Sequence, residues 1–226
     1  MEDILGQAIY NFFHKTGRHK LWINNRYGPK EAMPVAAYFR DEDDMPDLEW
    51  AALDHCKGTI LDIGAGAGSH ALVLQQRGMD VTALEISPLA ADVMRQRGVN
   101  KVVTADIFTY SVEKYDTLLL LMNGIGLTGT LDNLRIFLRH AKTLINPGGQ
   151  LLFDSSDIAY LYEGNLPADG YYGEIWYQYE YKKRTTEWFK WLYVDEPTLL
   201  NIAAEEGWNA EVLLEDEFGQ YLVRLN

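Results

Sequence analysis

The chain has 226 residues, 47% of them hydrophobic, with 33 acidic against 20 basic side chains and a formal net charge of −13. That length buries a full core, and one domain over residues 1–226 carrying an insertion is expected. The acidic balance argues against non-specific binding to nucleic acid, which needs clustered Lys and Arg, and the single cysteine excludes an intrachain disulfide or a cysteine-based zinc cluster.

The opening residues Met1, Glu2 and Asp3 are not a positive segment followed by an apolar one, so no secretion signal is expected. The longest apolar run, Leu118 to Met122, is too short to span a bilayer. A cytoplasmic protein without a membrane partner is the expectation. Ile4, Leu5, Ala8, Ile9, Phe12 and Phe13 recur at helical spacing and predict a short first helix. Leu21 to Pro46 reads as a looser stretch broken by Gly28, Pro29 and Pro34, with Trp22, Tyr27, Tyr38, Phe39 and Arg40 close together. A helix from about Asp47 to Cys56 is stopped by Gly58.

From Thr59 the pattern alternates. TILDIGAGAGS (59–69) reads as a buried strand, a glycine-rich turn and a helix that runs from Ser69 to Arg77. A second strand, Asp80 to Leu84, ends at Glu85; Ser87 and Pro88 then open a helix that Gly98 closes. Lys101 to Ala105 is a third strand, followed by Asp106, and Tyr115 to Met122 a fourth. Thr130 caps an amphipathic helix with Leu134, Phe137, Leu138, Ala141 and Leu144 on one face. A turn at Asn146–Gly149 leads into a fifth strand, Gln150 to Phe153. Strands alternating with helices predict a doubly wound α/β fold around a parallel sheet. Residues 157–197 then carry many aromatics, read as two strands, Ile175–Lys182 and Trp188–Val194, turning near Arg184–Glu187. A helix from Pro197 to Glu206 and a hairpin of Glu211–Asp216 with Tyr221–Leu225 close the chain.

In such a sheet, ligands bind outside the carboxyl ends of the strands. Gly64, Gly66 and Gly68 let the backbone turn sharply and lie against a ligand, and the following helix offers N–H donors to an anionic group. Glu85, about 20 positions on, is placed to accept ribose hydroxyls. That would also fit a nicotinamide dinucleotide, but position 69, where the dinucleotide fingerprint wants Gly or Ala, is serine. Asp62, Glu85 and Asp106 put three carboxylates around the turn. They suit a ligand with a cationic amino group, a ribose and an adenine amine, and repel a pyrophosphate.

ILDIGAGAG (60–68), VTALEIS (81–87), TADIF (104–108), YDTLLLLMN (115–123) and LINPGGQLLF (144–153) resemble the successive motifs of class I S-adenosylmethionine-dependent methyltransferases. The resemblance implies a Rossmann-like, seven-stranded, mostly parallel sheet whose last strand is antiparallel and inserted between strands five and six. It implies S-adenosyl-L-methionine as cofactor, with Gly64, Ala65, Gly66 and Gly68 lining it and Asp62 near its amino group. Glu85 would bind the ribose hydroxyls, Ile86 and Ile107 would flank the adenine, and Asp106 would take the adenine amine. Met122 and Asn123 would sit beneath the methyl donor, although core packing explains Met122 equally well.

Methyl transfer from a sulfonium is an in-line displacement, and a general base is needed only when the acceptor arrives protonated. Candidates are His70, Asn123, Asp154, Asp157, Tyr160, Tyr172 and Glu174, with Asp154 and Asp157 read as following the fifth strand. The Asn-Pro-Pro-Tyr motif of amide and adenine-amine methyltransferases is absent, since Asn123 is followed by Gly-Ile-Gly. The expected acceptor is a small molecule. Residues 1–58 read as a helical N-terminal lid segment, and the insertion 157–197 as a lid, sheet packing or a homodimer surface. Catalytically silent binding of the cofactor, as a sensor or partner subunit, is the alternative from another class.

Overall fold

The computed structural model describes residues 2–17, 19–167 and 169–226. In chain order these form α1 (Ile4–Phe13), β1 (Leu21–Asn25), β2 (Glu31–Met33), α2 (Asp47–His55), β3 (Thr59–Ile63), α3 (Ser69–Gln76), β4 (Asp80–Glu85) and α4 (Pro88–Arg97). Then come β5 (Lys101–Thr104), β6 (Tyr115–Leu120), α5 (Leu131–Leu144), β7 (Ile145–Ser156), β8 (Glu174–Tyr181), β9 (Arg184–Thr185), β10 (Phe189–Leu192), α6 (Glu196–Glu205), β11 (Ala210–Glu215) and β12 (Gln220–Leu225). Short 3-10 helices occupy Val35–Phe39, Glu42–Asp44, Gly124–Thr128 and Ala159–Tyr162.

The principal sheet has seven strands in the order β11-β12-β7-β6-β3-β4-β5. β4 and β5 are parallel, as are β6 and β7, while β12 runs antiparallel to both β7 and β11. The last strand thus lies between the fifth and sixth strands of this sheet, as the resemblance implies. A smaller sheet has the order β10-β8-β1-β2, with β9 paired to β8. By contact the chain forms two compact units: one holds the stretch up to Met45, Leu61–Tyr110 and Trp176–Phe189, the other Pro46–Ile60, Ser111–Ile175 and Lys190–Asn226.

In the first unit, Asp3 caps α1 by accepting from Gly6 N–H, and Ser87 caps α4 by accepting from Ala90 N–H. Pro88 follows at the first helical position and Gly98 ends α4 in the left-handed conformation. Ile4, Ala8 and Ile9 of α1 are buried in one cluster with Leu21, Val35, Ala67, Ala90, Val93 and Tyr181.

The expected loose stretch after Leu21 is instead a pair of strands. β1 pairs antiparallel with β2 and, on its other side, with β8, so that Trp22 faces Glu180 and Asn25 faces Tyr177. Gly28 and Pro29 belong to the hairpin loop rather than to irregular chain. The aromatic insertion is likewise not a lone hairpin, because β8 takes β1 as a neighbour. Its turn also differs from the expectation. Lys182 and Lys183, at φ 51° and 63°, connect β8 directly to β9, the two left-handed residues that a tight antiparallel turn requires. The Arg26 guanidinium stacks 4.4 Å from the Trp176 ring centre and 5.1 Å from that of Trp188, using two of the aromatics in packing.

In the second unit, Thr130 caps α5, and Leu134, Phe137, Leu138, Ala141 and Leu144 are all buried, as their spacing predicts. The turn expected at Asn146–Gly149 is absorbed into β7, with the irregularity taken up as a register shift against β6 between Tyr115 and Thr117. β7 also continues to Ser156, so Asp154 lies within the strand, opposite Leu222, rather than after it. Gly173 accepts from Tyr193 N–H at 2.8 Å, and a Cβ there would stand 1.8 Å from the Tyr193 carbonyl oxygen. Neither backbone can yield without breaking that bond. Gly173→Ala is therefore expected to cost about 1–3 kcal/mol, read as a melting temperature lowered by about 2–4 °C per kcal/mol in thermal denaturation. No helix among the described residues is long and apolar enough to cross a membrane.

Candidate functional site

The turn between β3 and α3 is built as its glycines require, but each glycine answers to a different neighbour. Gly64 (φ 72°) has no atom within 4 Å of where a Cβ would stand, so its outer face is open. At Gly66 (φ 57°) a Cβ would come 2.9 Å from the Tyr38 ring, and at Gly68 (φ 83°) 2.9 Å from Val99. The turn's N–H groups are largely used by the protein itself. Gly64 and Ala65 donate to the Leu84 carbonyl, Gly68 to that of Ala65, and Gly66 to Glu85. These bonds tie the turn to the tip of β4; of the N–H groups at the start of α3, from which donation to an anionic ligand is expected, that of Ala71 goes to the Asp62 carboxylate.

Asp62, near the end of β3, is 1% exposed. Ala71 N–H donates to its carboxylate, yet its Oδ2 is buried with no hydrogen-bond partner. Desolvation pushes its pKa up to about 6, against the opposing pull of His70 and Ala71. His70 itself is buried in the first turn of α3. A buried carboxylate oxygen without a donor carries a desolvation penalty of about 1–3 kcal/mol or more, which an incoming N–H or ammonium group relieves. The unpaired acceptor thus fits the cationic amino group that the resemblance assigns to it.

Glu85 ends β4 half-buried and spans two backbone donors: Gly66 N–H reaches Oε2 at 2.9 Å and Ser87 N–H reaches Oε1 at 2.9 Å. Desolvation raises its pKa despite these bonds, and the negative charge of Asp3 adds to the rise. Glu85 pairs with Thr104 of β5, which sets Asp106 two residues beyond on the same rim. Asp106 is exposed and accepts from Phe108 N–H at 2.9 Å. Ile86 is 67% exposed and Ile107 buried.

In the second unit, Met122 and Asn123 both adopt left-handed φ, 61° and 53°. Asp154 holds them there: Asn123 N–H donates to both its oxygens, at 2.9 and 2.8 Å. Asn123 Nδ2 donates to the Leu192 carbonyl at 3.1 Å, and its Oδ1 is buried without a partner. Asp157 Oδ1 accepts from Ala159 N–H and from the Tyr172 hydroxyl at 2.7 Å. Burial and that bond raise the Tyr172 pKa well above the ordinary phenol value. Glu174 accepts from Leu131 N–H and pairs with Lys190 at 2.8 Å, and Tyr160 is exposed.

Two participants were not legible as such in the sequence. Tyr38 packs on Gly66, and its carbonyl accepts from Ser69 Oγ at 2.8 Å. Arg97, at the end of α4, donates to the Ala67 carbonyl at 2.6 Å and so braces the turn from the other side. No local pattern points to either, because both contacts come from elements distant in the chain.

The methyltransferase domain family model matches residues 35–212. A SAM-dependent methyltransferase from Bacteroides fragilis, crystallised with S-adenosyl-L-homocysteine, is 41% identical; the match covers 99% of this chain and 94% of that one, with a TM-score of 0.91. A methyltransferase from Clostridium acetobutylicum shares 13% identity over 81% of this chain and 93% of its own, TM-score 0.60. An amino pentose methyltransferase from Micromonospora echinaspora shares 16% over 88% and 98%, TM-score 0.58. The last two establish a common fold alone. No curated protein matches the chain.

Proposed function

The chain belongs to the S-adenosylmethionine-dependent methyltransferases, and from that premise we propose that it methylates a small-molecule acceptor, with Asp62, Glu85 and Asp106 holding the cofactor's amino group, ribose hydroxyls and adenine amine. The buried, unpartnered Oδ2 of Asp62 carries this reading. When bound, S-adenosylmethionine supplies an electrophilic methyl group on a sulfonium, open to in-line attack. Gly64 leaves open backbone for the ligand to lie against, while Gly66 and Gly68 serve the packing of Tyr38 and Val99. The exposed Ile86 side chain gives adenine an apolar surface, with Ile107 beside it. In the other unit, Asp154 sets the backbone of Met122 and Asn123. Of the pair Asp157 and Tyr172, the phenol stays protonated, so Asp157 is the group able to take a proton from an acceptor.

The Asp62 pKa, raised above 3.8 to about 6, fixes the sign of two pH effects. Its burial destabilises the ionised form, so this group's contribution to stability is greatest at low pH and falls as pH rises through about 6. Binding of a ligand ammonium needs the ionised form, so affinity moves the other way. Calorimetry with S-adenosylhomocysteine is expected to show affinity rising between about pH 5 and 7, and Asp62→Asn to bind more weakly with that rise lost. A wild-type affinity flat across this window would sink the assignment. Product formation against amines, phenols and carboxylates identifies the acceptor class.

A further inference from the structure

We propose that Asp3, the residue that opens α1, is a positioning residue for cofactor binding: through Ser87 it holds Glu85 in the orientation that receives the ribose hydroxyls. The inference rests on the role given to Glu85 above.

The connection is continuous. Ser87 Oγ donates to Asp3 Oδ2 at 2.6 Å, and Ser87 N–H donates to Glu85 Oε1 at 2.9 Å. Glu85 Oε2 in turn accepts from Gly66 N–H at 2.9 Å. Ser87 is therefore tied to a carboxylate on each side, by its hydroxyl to one and its backbone to the other. Its hydroxyl oxygen also accepts from Ala90 N–H at 3.0 Å and caps α4, while Asp3 Oδ1 accepts from Gly6 N–H at 2.9 Å and caps α1. A single pair of side chains thus caps two helices and fixes both to the tip of β4.

The close approach is specific to these residues. A Cβ on Gly6 would lie 2.0 Å from Ser87 Oγ and 2.4 Å from Asp3 Oδ1, so only glycine lets the first turn of α1 sit over Ser87. Ser87 is 8% exposed. Water competes poorly for hydrogen bonds at such a site, and the geometry of each partner depends on the next. A carboxylate that is to receive two adjacent ribose hydroxyls must present both oxygens in one plane. The Ser87 N–H sets that plane through Oε1, and Asp3 sets Ser87.

Asparagine at position 3 cannot preserve the arrangement. With its oxygen on Gly6 N–H, its amide nitrogen faces the Ser87 hydroxyl, and Ser87 loses its acceptor; turned round, it uncaps α1. Serine at position 3 still caps a helix but is too short to reach Ser87. The serine variant therefore keeps the cap and removes the positioning contact alone.

The experiment compares the affinity of S-adenosylhomocysteine with that of its 2′,3′-dideoxy analogue, which lacks both hydroxyls, by calorimetry, for the wild type, Glu85→Gln, Asp3→Asn and Asp3→Ser. Thermal denaturation confirms that each variant is folded. Glu85→Gln is expected to erase most of the preference for the ribose form. Asp3→Asn and Asp3→Ser are each expected to weaken S-adenosylhomocysteine by about three- to tenfold and the dideoxy analogue by less than about twofold. Equal weakening of both ligands would show that Asp3 merely stabilises α1 and would overturn the proposal, as would no change in either. If Glu85→Gln keeps the preference intact, the role of Glu85 itself fails, and the relay with it.

Discussion

Glu85→Ala is expected to weaken S-adenosylhomocysteine binding by roughly a hundred- to ten-thousandfold while leaving the protein folded. Hydrogen bonds to a charged group are worth about 1.5–3 kcal/mol each against their absence, and each 1.4 kcal/mol is about tenfold in affinity. Two ribose hydroxyls offer two such bonds. The backbone adds to the loss, because Gly66 N–H and Ser87 N–H both rely on this carboxylate. Stability is expected to change less than affinity, since removing a carboxylate whose pKa is raised by desolvation also removes that penalty. Calorimetry at neutral pH checks the first expectation and thermal denaturation the second; an unchanged dissociation constant would remove Glu85 from the site. Asp106→Ala belongs at the lower end of the scale. Its carboxylate is exposed, so its loss leaves no buried partner stranded, and a decrease of about 0.5–1.5 kcal/mol is expected.

Asp154→Asn is the second large effect, and it acts on the backbone. Two consecutive non-glycine residues with left-handed φ, Met122 and Asn123, cost about 1–3 kcal/mol each. They are held by the two bonds from Asn123 N–H to a carboxylate that is 6% exposed. An amide in its place keeps one acceptor and turns an N–H₂ donor toward an N–H. The expected outcome is a loss of about 2–3 kcal/mol, or a melting temperature lowered by roughly 4–12 °C. The turnover number should fall as Met122 and Asn123 lose their positions, with S-adenosylhomocysteine affinity little changed. A role as general base predicts something else: loss of the acidic limb of the pH–rate profile. An unaltered melting temperature together with that loss would replace the positioning role by a catalytic one.

Much of the fold was legible because its signals are local. Ser87–Pro88 and Gly98 bracket α4, Thr130 opens α5, and the buried run Leu118–Leu120 reads directly as a central strand. Strands β8 and β10 of the small sheet were legible, but β1 and β2 were not, since β1 is short and only half-buried and takes one of its partners from residues about 150 positions away, as Trp22 does from Glu180. The turn at Lys182–Lys183 was misplaced for a related reason. Lysine carries no turn preference, and its left-handed φ is imposed by the pairing of β8 with β9.

The sequence by itself determined the order of strands and helices, the glycine turn and the acidic residues at the strand tips, because periodicity, capping and glycine content act over a few residues. Only the tertiary structure decided what each of those groups does. It buried Asp62 and left one oxygen unpaired, exposed Asp106, committed the turn's N–H groups to Leu84 and Glu85, and brought Tyr38 to that turn and Asp3 to Ser87. Burial and hydrogen-bond partnership are fixed by neighbours distant in the chain, and the same residue type is inert or poised according to which neighbours the packing supplies.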